Sequence, residues 1–247
     1  MLFIDIVQQF LEFDLAPEVI SSLIVVLILC ILAIYVGIRA HFQDPLKKPK
    51  GILFLAEFGV EFFDNMASGL MGKQFKDFGG YIMGIALYLF ISFIFGLTGL
   101  PSPIAYLAVP LSLGLSSFVM IHATSIRFTK WKYFKRYIDP LPLFLPINLI
   151  SMWAPLLSMA LRLFGNAIAG TVIMSILYLG LEELSGMVFA SLEPIIGQWN
   201  QVFLAPLVTW ILHLYFDLWG AFIQTTVFIS LTMIYVGQEA PEDFVED

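Results

Sequence analysis

The sequence predicts an all-α integral membrane protein, and three observations carry that reading. Apolar residues fill 60% of the 247 positions and charged residues 13%, with a mean hydropathy of +0.91. A soluble domain is roughly half apolar and about a quarter charged. Five apolar stretches are as long as a bilayer is thick, or longer. Eleven of the twelve Lys and Arg gather in three clusters beside those stretches. The expected architecture is five spanning segments plus one interfacial amphipathic helix, in a single membrane domain over residues 1–247.

The bilayer is therefore the principal solvent. A net charge of −7 and few basic residues give no footprint for nucleic acid. The single cysteine, Cys30, cannot form an internal disulfide. The N-terminal "MLFIDIVQQFLEFD" is acidic and lacks a basic leader, so it does not read as a secretory signal.

The first span is the uninterrupted apolar run Val19–Ile38. The segment 52–76 contains "AEFGVEFFDNMASGLMG", in which Glu57, Glu61 and Asp64 fall at i, i+4 and i+7. Phe58, Phe62, Phe63 and Met66 take the other faces, which predicts an amphipathic helix lying at the interface or against a partner. Tyr81–Leu100 and Ile104–Ile126 are the second and third spans, joined by the turn "TGLPSP". Leu141–Gly180 and Val202–Val236 are too long for upright spans. At ~1.5 Å per residue each measures roughly 50–60 Å against an apolar core of ~30 Å. They are expected to tilt strongly or kink, with breaks at Pro142, Pro146 and Pro155 in one and Pro206 in the other.

Basic residues orient the spans. Arg39, Lys47, Lys48 and Lys50 follow the first, Lys73 and Lys76 precede the second, and Arg127, Lys130, Lys132, Lys135 and Arg136 follow the third. Five spans put all eleven on one side, the cytoplasmic side by the positive-inside rule. The N-terminus is then outside and the C-terminus inside. Glu182, Glu183 and Glu193 are expected in an outer loop.

The twelfth basic residue, Arg162, stands inside "LRLFGNAIAG". An arginine at mid-helix costs about 2.5–3.5 kcal/mol on insertion scales, and it cannot discard its proton. On a helix it shares a face with Ser158, Gly165, Asn166, Ala169 and Gly170, a small and polar face that another helix can approach closely. No anion lies on it. The last apolar segment has its own polar line: His213, Asp217 and Gln224 at i, i+4 and i+11, with Trp210 and Gly220. Two structural readings stand beside the functional one. Arg162 and Asp217 form an ion pair, or His213 and Asp217 form a simple helix–helix hydrogen bond. His122 reads as a packing residue, and Asn148 as a group that satisfies backbone beside Pro146 or borders a wet cavity. No metal-ligand spacing, nucleotide loop or catalytic triad is visible, so no catalytic residue, metal or cofactor is expected.

"LSMALRLFGNAIAG" resembles the signature of the a subunit of bacterial F-type ATP synthases. "AEFGVEFFDNMASGLMGK", "FISFIFGLTGLPSP", "LPINLI" and "IQTTVFISLTMIYV" follow that family's order, over roughly residues 50 to 237. The resemblance implies a stator subunit in the plasma membrane with two half-channels for H⁺ or Na⁺. The last two long helices would form a tilted hairpin against the rotating ring of c subunits, with the b-subunit peripheral stalk and the rest of the complex as further partners. It implies that Arg162 faces the ring carboxylates, with Asn166 and Gln224 at matching positions. Asp217 falls where relatives carry an acid or His in the outer half-channel. Thr171 stands where relatives often have Glu, Ser151 and Met152 where they have acids, Tyr106 where they have Asp, and Phe93 where they have Asn. The outer path is therefore expected to rest on Asp217 with His213, and the inner path on Asn148, Ser151 and water. The competing class is a secondary transporter that binds an anionic substrate at Arg162, but such folds show internal repeats or paired broken helices and no repeat is visible.

Overall fold

A computed structural model of the chain describes residues 16–44, 48–130, 133, 143, 145–190 and 204–239. Among these residues there is no strand. The order is α1 (Pro17–His41), α2 (Ile52–Met71), a 3₁₀ stretch (Lys73–Phe78), α3 (Gly79–Ile94), short 3₁₀ turns at Phe95–Thr98 and Pro103–Ala105, α4 (Ala108–Thr129) and α5 (Leu145–Val188). Then come α6 (Leu204–His213), a π-helical stretch (Leu214–Trp219) and α7 (Gly220–Gln238). Five helical runs are long and apolar enough to span a membrane: Pro17–His41, Gly79–Thr98, Ala108–Thr129, Leu145–Val188 and Leu204–Gln238.

The core lies where α3, α4, α5 and α7 meet. Ile82, Leu89, Ile104, Met159, Leu163, Phe228 and Met233 are buried in one contiguous cluster. Three helices are tied there by hydroxyls. Ser117 Oγ on α4 and Thr232 Oγ1 on α7 are 3.1 Å apart, and Thr232 also reaches Met159 Sδ on α5 at 3.9 Å. In lipid such bonds are worth ~0.6 kcal/mol on average, so close packing supplies the rest of the association. Gly114 shows that packing: a Cβ there would stand 3.1 Å from the Leu156 carbonyl and 3.4 Å from the Ala160 Cβ. α1 is peripheral, burying only Ser21 and Val25 and bonding to α3 through Ser22 Oγ and the Tyr88 hydroxyl at 2.7 Å.

α2 is docked rather than free. Ala67 and Met71 are buried, and Phe63 and Met66 pack on the core, while Phe54, Phe58 and Phe62 stay exposed. The segment expected as one helix over 52–76 ends at Gly72, whose φ of +99° suits glycine, and continues as the 3₁₀ stretch. Asp64 does not simply extend an acidic face. Its Oδ1 accepts a hydrogen bond of 2.9 Å from the Gly79 amide, capping the first turn of α3. At the other end of the same surface, a Cβ on Gly237 would stand 2.8 Å from Met71 Cα, so α7 and α2 meet backbone to backbone.

The proline breaks are corrected. Pro146 and Pro206 sit in the first turns of α5 and α6, where a missing N–H costs nothing. Pro155 lies inside α5, which runs unbroken through it for 44 residues. The last segment is interrupted instead by the π-helical stretch around Asp217. α5 also continues through Glu182 and Glu183 to Val188, so these two acids stand exposed on its last turns and not in a loop. Pro142 and Glu193 lie outside the described residues.

Candidate functional site

Two cavities open along α5. The larger, roughly 440 Å³, is bounded by the end of α3 and its turn (Phe93, Gly96, Ser102), the middle of α5 (Asn166, Gly170, Thr171, Tyr178), and the π-helical stretch with its flanks (His213, Asp217, Gln224). His213 Nδ1 is 2.5 Å from Asp217 Oδ2, and His213 Nε2 is 2.8 Å from the Tyr178 hydroxyl on α5. Both ring nitrogens are thus engaged. The side chains of His213 and Asp217 are 33% and 26% exposed, wet enough to exchange with the cavity. π-helical turns are rare and are found often at functional sites, because the wider turn redirects side chains and loosens backbone bonding. Gln224 Oε1 is buried without a hydrogen-bond partner in the cavity wall. The Thr171 hydroxyl donates to Ala167 O at 2.9 Å, so its proton serves its own helix.

The smaller cavity, about 270 Å³, lies toward the other end of the same helices. His122 and Ser125 come from α4, Asn148, Ser151 and Pro155 from α5, and Tyr235, Gln238 and Glu239 from the end of α7. Pro155 has no N–H to offer the Ser151 carbonyl one turn earlier, and both residues line this cavity. His122 packs as expected, its ring 3.9 Å from that of Phe118 and its Nδ1 2.9 Å from Phe118 O. It also borders the cavity, which the packing reading did not anticipate.

The two cavities share no lining residue. On α5 the gap runs from Pro155 to Asn166, and on α7 from Gln224 to Tyr235. Each gap is about 16 Å of helix. It is filled by Met159, Leu163, Phe228, Ile229, Thr232 and Met233, none more than 4% exposed. Arg162 lies within this interval on the outer side of α5 and lines neither cavity. It has no hydrogen bond or ion pair among the described residues. The pairing with Asp217 is not formed, since that carboxylate is bonded to His213. Ser158, Gly165, Asn166 and Ala169 are exposed beside it, and a Cβ on Gly165 would meet nothing within 4 Å.

The structure therefore gathers Asn166, Thr171, His213, Asp217 and Gln224 at one cavity and Asn148 with Ser151 at the other. Arg162 and Ser158 remain on an open face between them. Tyr178 and Glu239 escaped the sequence reading. Tyr178 is one of many aromatic residues in apolar segments, and Glu239 belongs to an acidic tail; only packing brings each to a cavity.

Comparison with known proteins gives the family. The family described as ATP synthase A chain matches residues 19–237. The ATP synthase subunit a of Mycoplasma genitalium is 29% identical, over 94% of this chain and 86% of that protein. That of a Sulfurihydrogenibium species is 30% identical, over 78% of this chain and 84% of its own length. The sodium-ion-specific ATP synthase subunit a of Propionigenium modestum is 31% identical, over 75% of this chain and 63% of its own. The match over nearly the whole apolar length makes this chain a member of the ATP synthase A chain family.

Proposed function

We propose that the chain is the ion-translocating stator subunit of an ATP synthase membrane sector. The two cavities are its half-channels, and the Arg162 face meets a ring of c subunits. The peripheral-stalk b subunit is a further partner. ATP chemistry then resides on other subunits. The observation that carries this reading is the division of the molecule into two cavities with a packed plug between them and one permanent cation beside the plug. Among the described residues, an ion entering one cavity meets this packed plug before it reaches the other. It must leave sideways, onto a carrier that moves. An unpaired guanidinium on the open face favours the charged form of an opposing carboxylate, so a loaded carrier releases its ion there. The same cation repels an ion that would leak straight across. α5 suits this geometry, because its 44 residues measure about 66 Å and must lie obliquely in the bilayer.

The test is accessibility from each side in the assembled complex. In a Cys30→Ala background, Thr171→Cys should react with a small charged thiol reagent only from the outer, positive-poor side. Ser151→Cys should react only from the cytoplasmic side, and Leu163→Cys from neither. A Thr171→Cys or Ser151→Cys thiol that reacts equally from both sides would mean a through-channel and would end the half-channel reading.

A further inference from the structure

We propose that a bound water between α3 and α7 bridges Ser92 Oγ, Thr225 Oγ1 and Gln224 Oε1, and that Ser92 and Thr225 act through it to position the Gln224 amide at the larger cavity. The role of that amide rests on reading the cavity as a half-channel; the water site itself does not. Among the described residues these three are the buried side-chain polar atoms that have no hydrogen-bond partner. Ser92 is wholly buried and Thr225 is 7% exposed. Buried polar groups are satisfied by protein or by ordered water. A helical threonine has a ready solution on its own helix. Thr171, Thr209 and Thr226 each donate to the carbonyl four residues back. Thr225 does not take it, although it follows Gln224 on the same regular helix.

The three oxygens belong to one place. α3 and α7 run antiparallel and both meet α2, Gly79 at Asp64 and Gly237 at Met71. Thirteen residues, about 20 Å of helix, lead from Gly79 to Ser92, and thirteen lead back from Gly237 to Gln224. Leu89 and Phe93 on α3, and Ala221 and Phe228 on α7, flank these positions within one buried cluster. Phe93 and Gln224 line the same cavity, and so does Ser102, whose hydroxyl donates to the Ser92 carbonyl at 2.8 Å. The chemistry suits water. A buried water makes about three hydrogen bonds to groups otherwise unpaired. Gln224 Oε1 only accepts, while either hydroxyl can donate or accept. The water therefore donates to Oε1 and to one hydroxyl, and accepts from the other. A bare cation would find three neutral oxygens and no carboxylate among them, too little to replace its hydration. Holding Oε1 from the wall leaves the NH₂ of the same amide for the cavity. Gln224 stands where that cavity ends and the plug begins. Its amide is there a fixed donor at the place where the proposed carrier exchanges its ion, and Ser92 and Thr225 are its positioning residues.

The experiment uses the assembled complex, with ATP-driven ion uptake measured in inverted vesicles and assembly checked by recovery of the intact complex. Two substitutions at Thr225 oppose polarity to volume. Thr225→Val keeps the volume and loses the hydroxyl, and should lower uptake about five- to tenfold, the weight of one hydrogen bond. Thr225→Ser keeps the hydroxyl and loses a methyl group, and should retain most of the rate. A residue that merely packs would give the reverse order, and that order would overturn the proposal. Ser92→Ala should behave as Thr225→Val does. In a Gln224→Leu background neither should slow uptake further, because their effect passes through Gln224; independent effects there would end the positioning role. The site is read directly in a density map of the complex that resolves ordered waters. A peak within hydrogen-bond reach of all three oxygens, lost in Thr225→Val, is the expected result. A map with no such peak would remove the water while leaving the two half-channels and Arg162 untouched. Conversely, a through-channel in the thiol test would end the role given to the amide, whatever the map shows at Ser92.

Discussion

Arg162 is defined by what does not touch it. A guanidinium in the apolar part of a span is tolerated when it is paired, snorkels to an interface or faces a wet or charged partner. Here the carboxylate of the polar stripe is already bonded to His213, and Arg162 is exposed on a face of small residues. On the function proposed above, the charge is left for a partner chain to meet. Arg162→Ala should lower ATP-driven ion uptake by inverted vesicles at least a hundredfold, since one preorganised electrostatic donor is worth about 10²–10³ in rate. Recovery of the complex should be normal, because Arg162 makes no hydrogen bond or ion pair among the described residues. Arg162→Lys should also fail largely, since a compact ammonium lacks the planar fork of donors. Near-normal uptake by Arg162→Ala would make the residue structural.

Among the elements, the glycine contacts decide how closely helices approach. Gly237 sets α7 against the end of α2, and Gly114 sets α4 against α5. At Gly237 the atoms in the way are Met71 Cα and Leu70 O, backbone that cannot rotate aside. Gly237→Ala should therefore destabilise the chain by about 1–3 kcal/mol, the usual cost of overpacking. Gly69→Ala is the control, since a Cβ there meets nothing within 4 Å. The measurement is the thermal midpoint of the purified complex in detergent; equal midpoints for the two variants would show that the α2–α7 contact has room for a methyl group. The π-helical stretch works at this scale too. It carries Asp217 beside His213, whose other ring nitrogen meets Tyr178, while the segment stays helical, which a proline at the same place would prevent.

For the molecule as a whole, orientation is the property on which the proposed half-channels depend. By the positive-inside rule the basic clusters predict the α1–α2 connection inside and the turn after α3 outside. In a Cys30→Ala background, needed because Cys30 is free and exposed, Leu97→Cys should label from outside in intact cells. Lys50→Cys should label only after the membrane is opened. Both positions are exposed. Labelling of both from one side would require a different number of spans and would exchange the sides on which the two cavities open.

The all-α class, the five spans and the residues of unusual cost were all legible in the sequence. Each depends on local chemistry: length of apolar run against bilayer thickness, charge beside a span, and a cation where burial is expensive. The polar line of His213, Asp217 and Gln224 was legible for the same reason, since i+4 and i+11 share a helix face. The π-helical interruption of the last segment was not, because it has no proline to announce it. Nor was the cap on α3, because Asp64 reads as one acid in an amphipathic row until α2 is docked. Tertiary structure alone decided that Asp217 is bonded to His213 and not to Arg162, that Tyr178 joins them, and that the cavities are separated by a plug of Met159, Leu163, Phe228 and Met233. These are contacts between residues far apart in the chain, and in a sequence this apolar the pattern of one helix does not say which neighbour it meets.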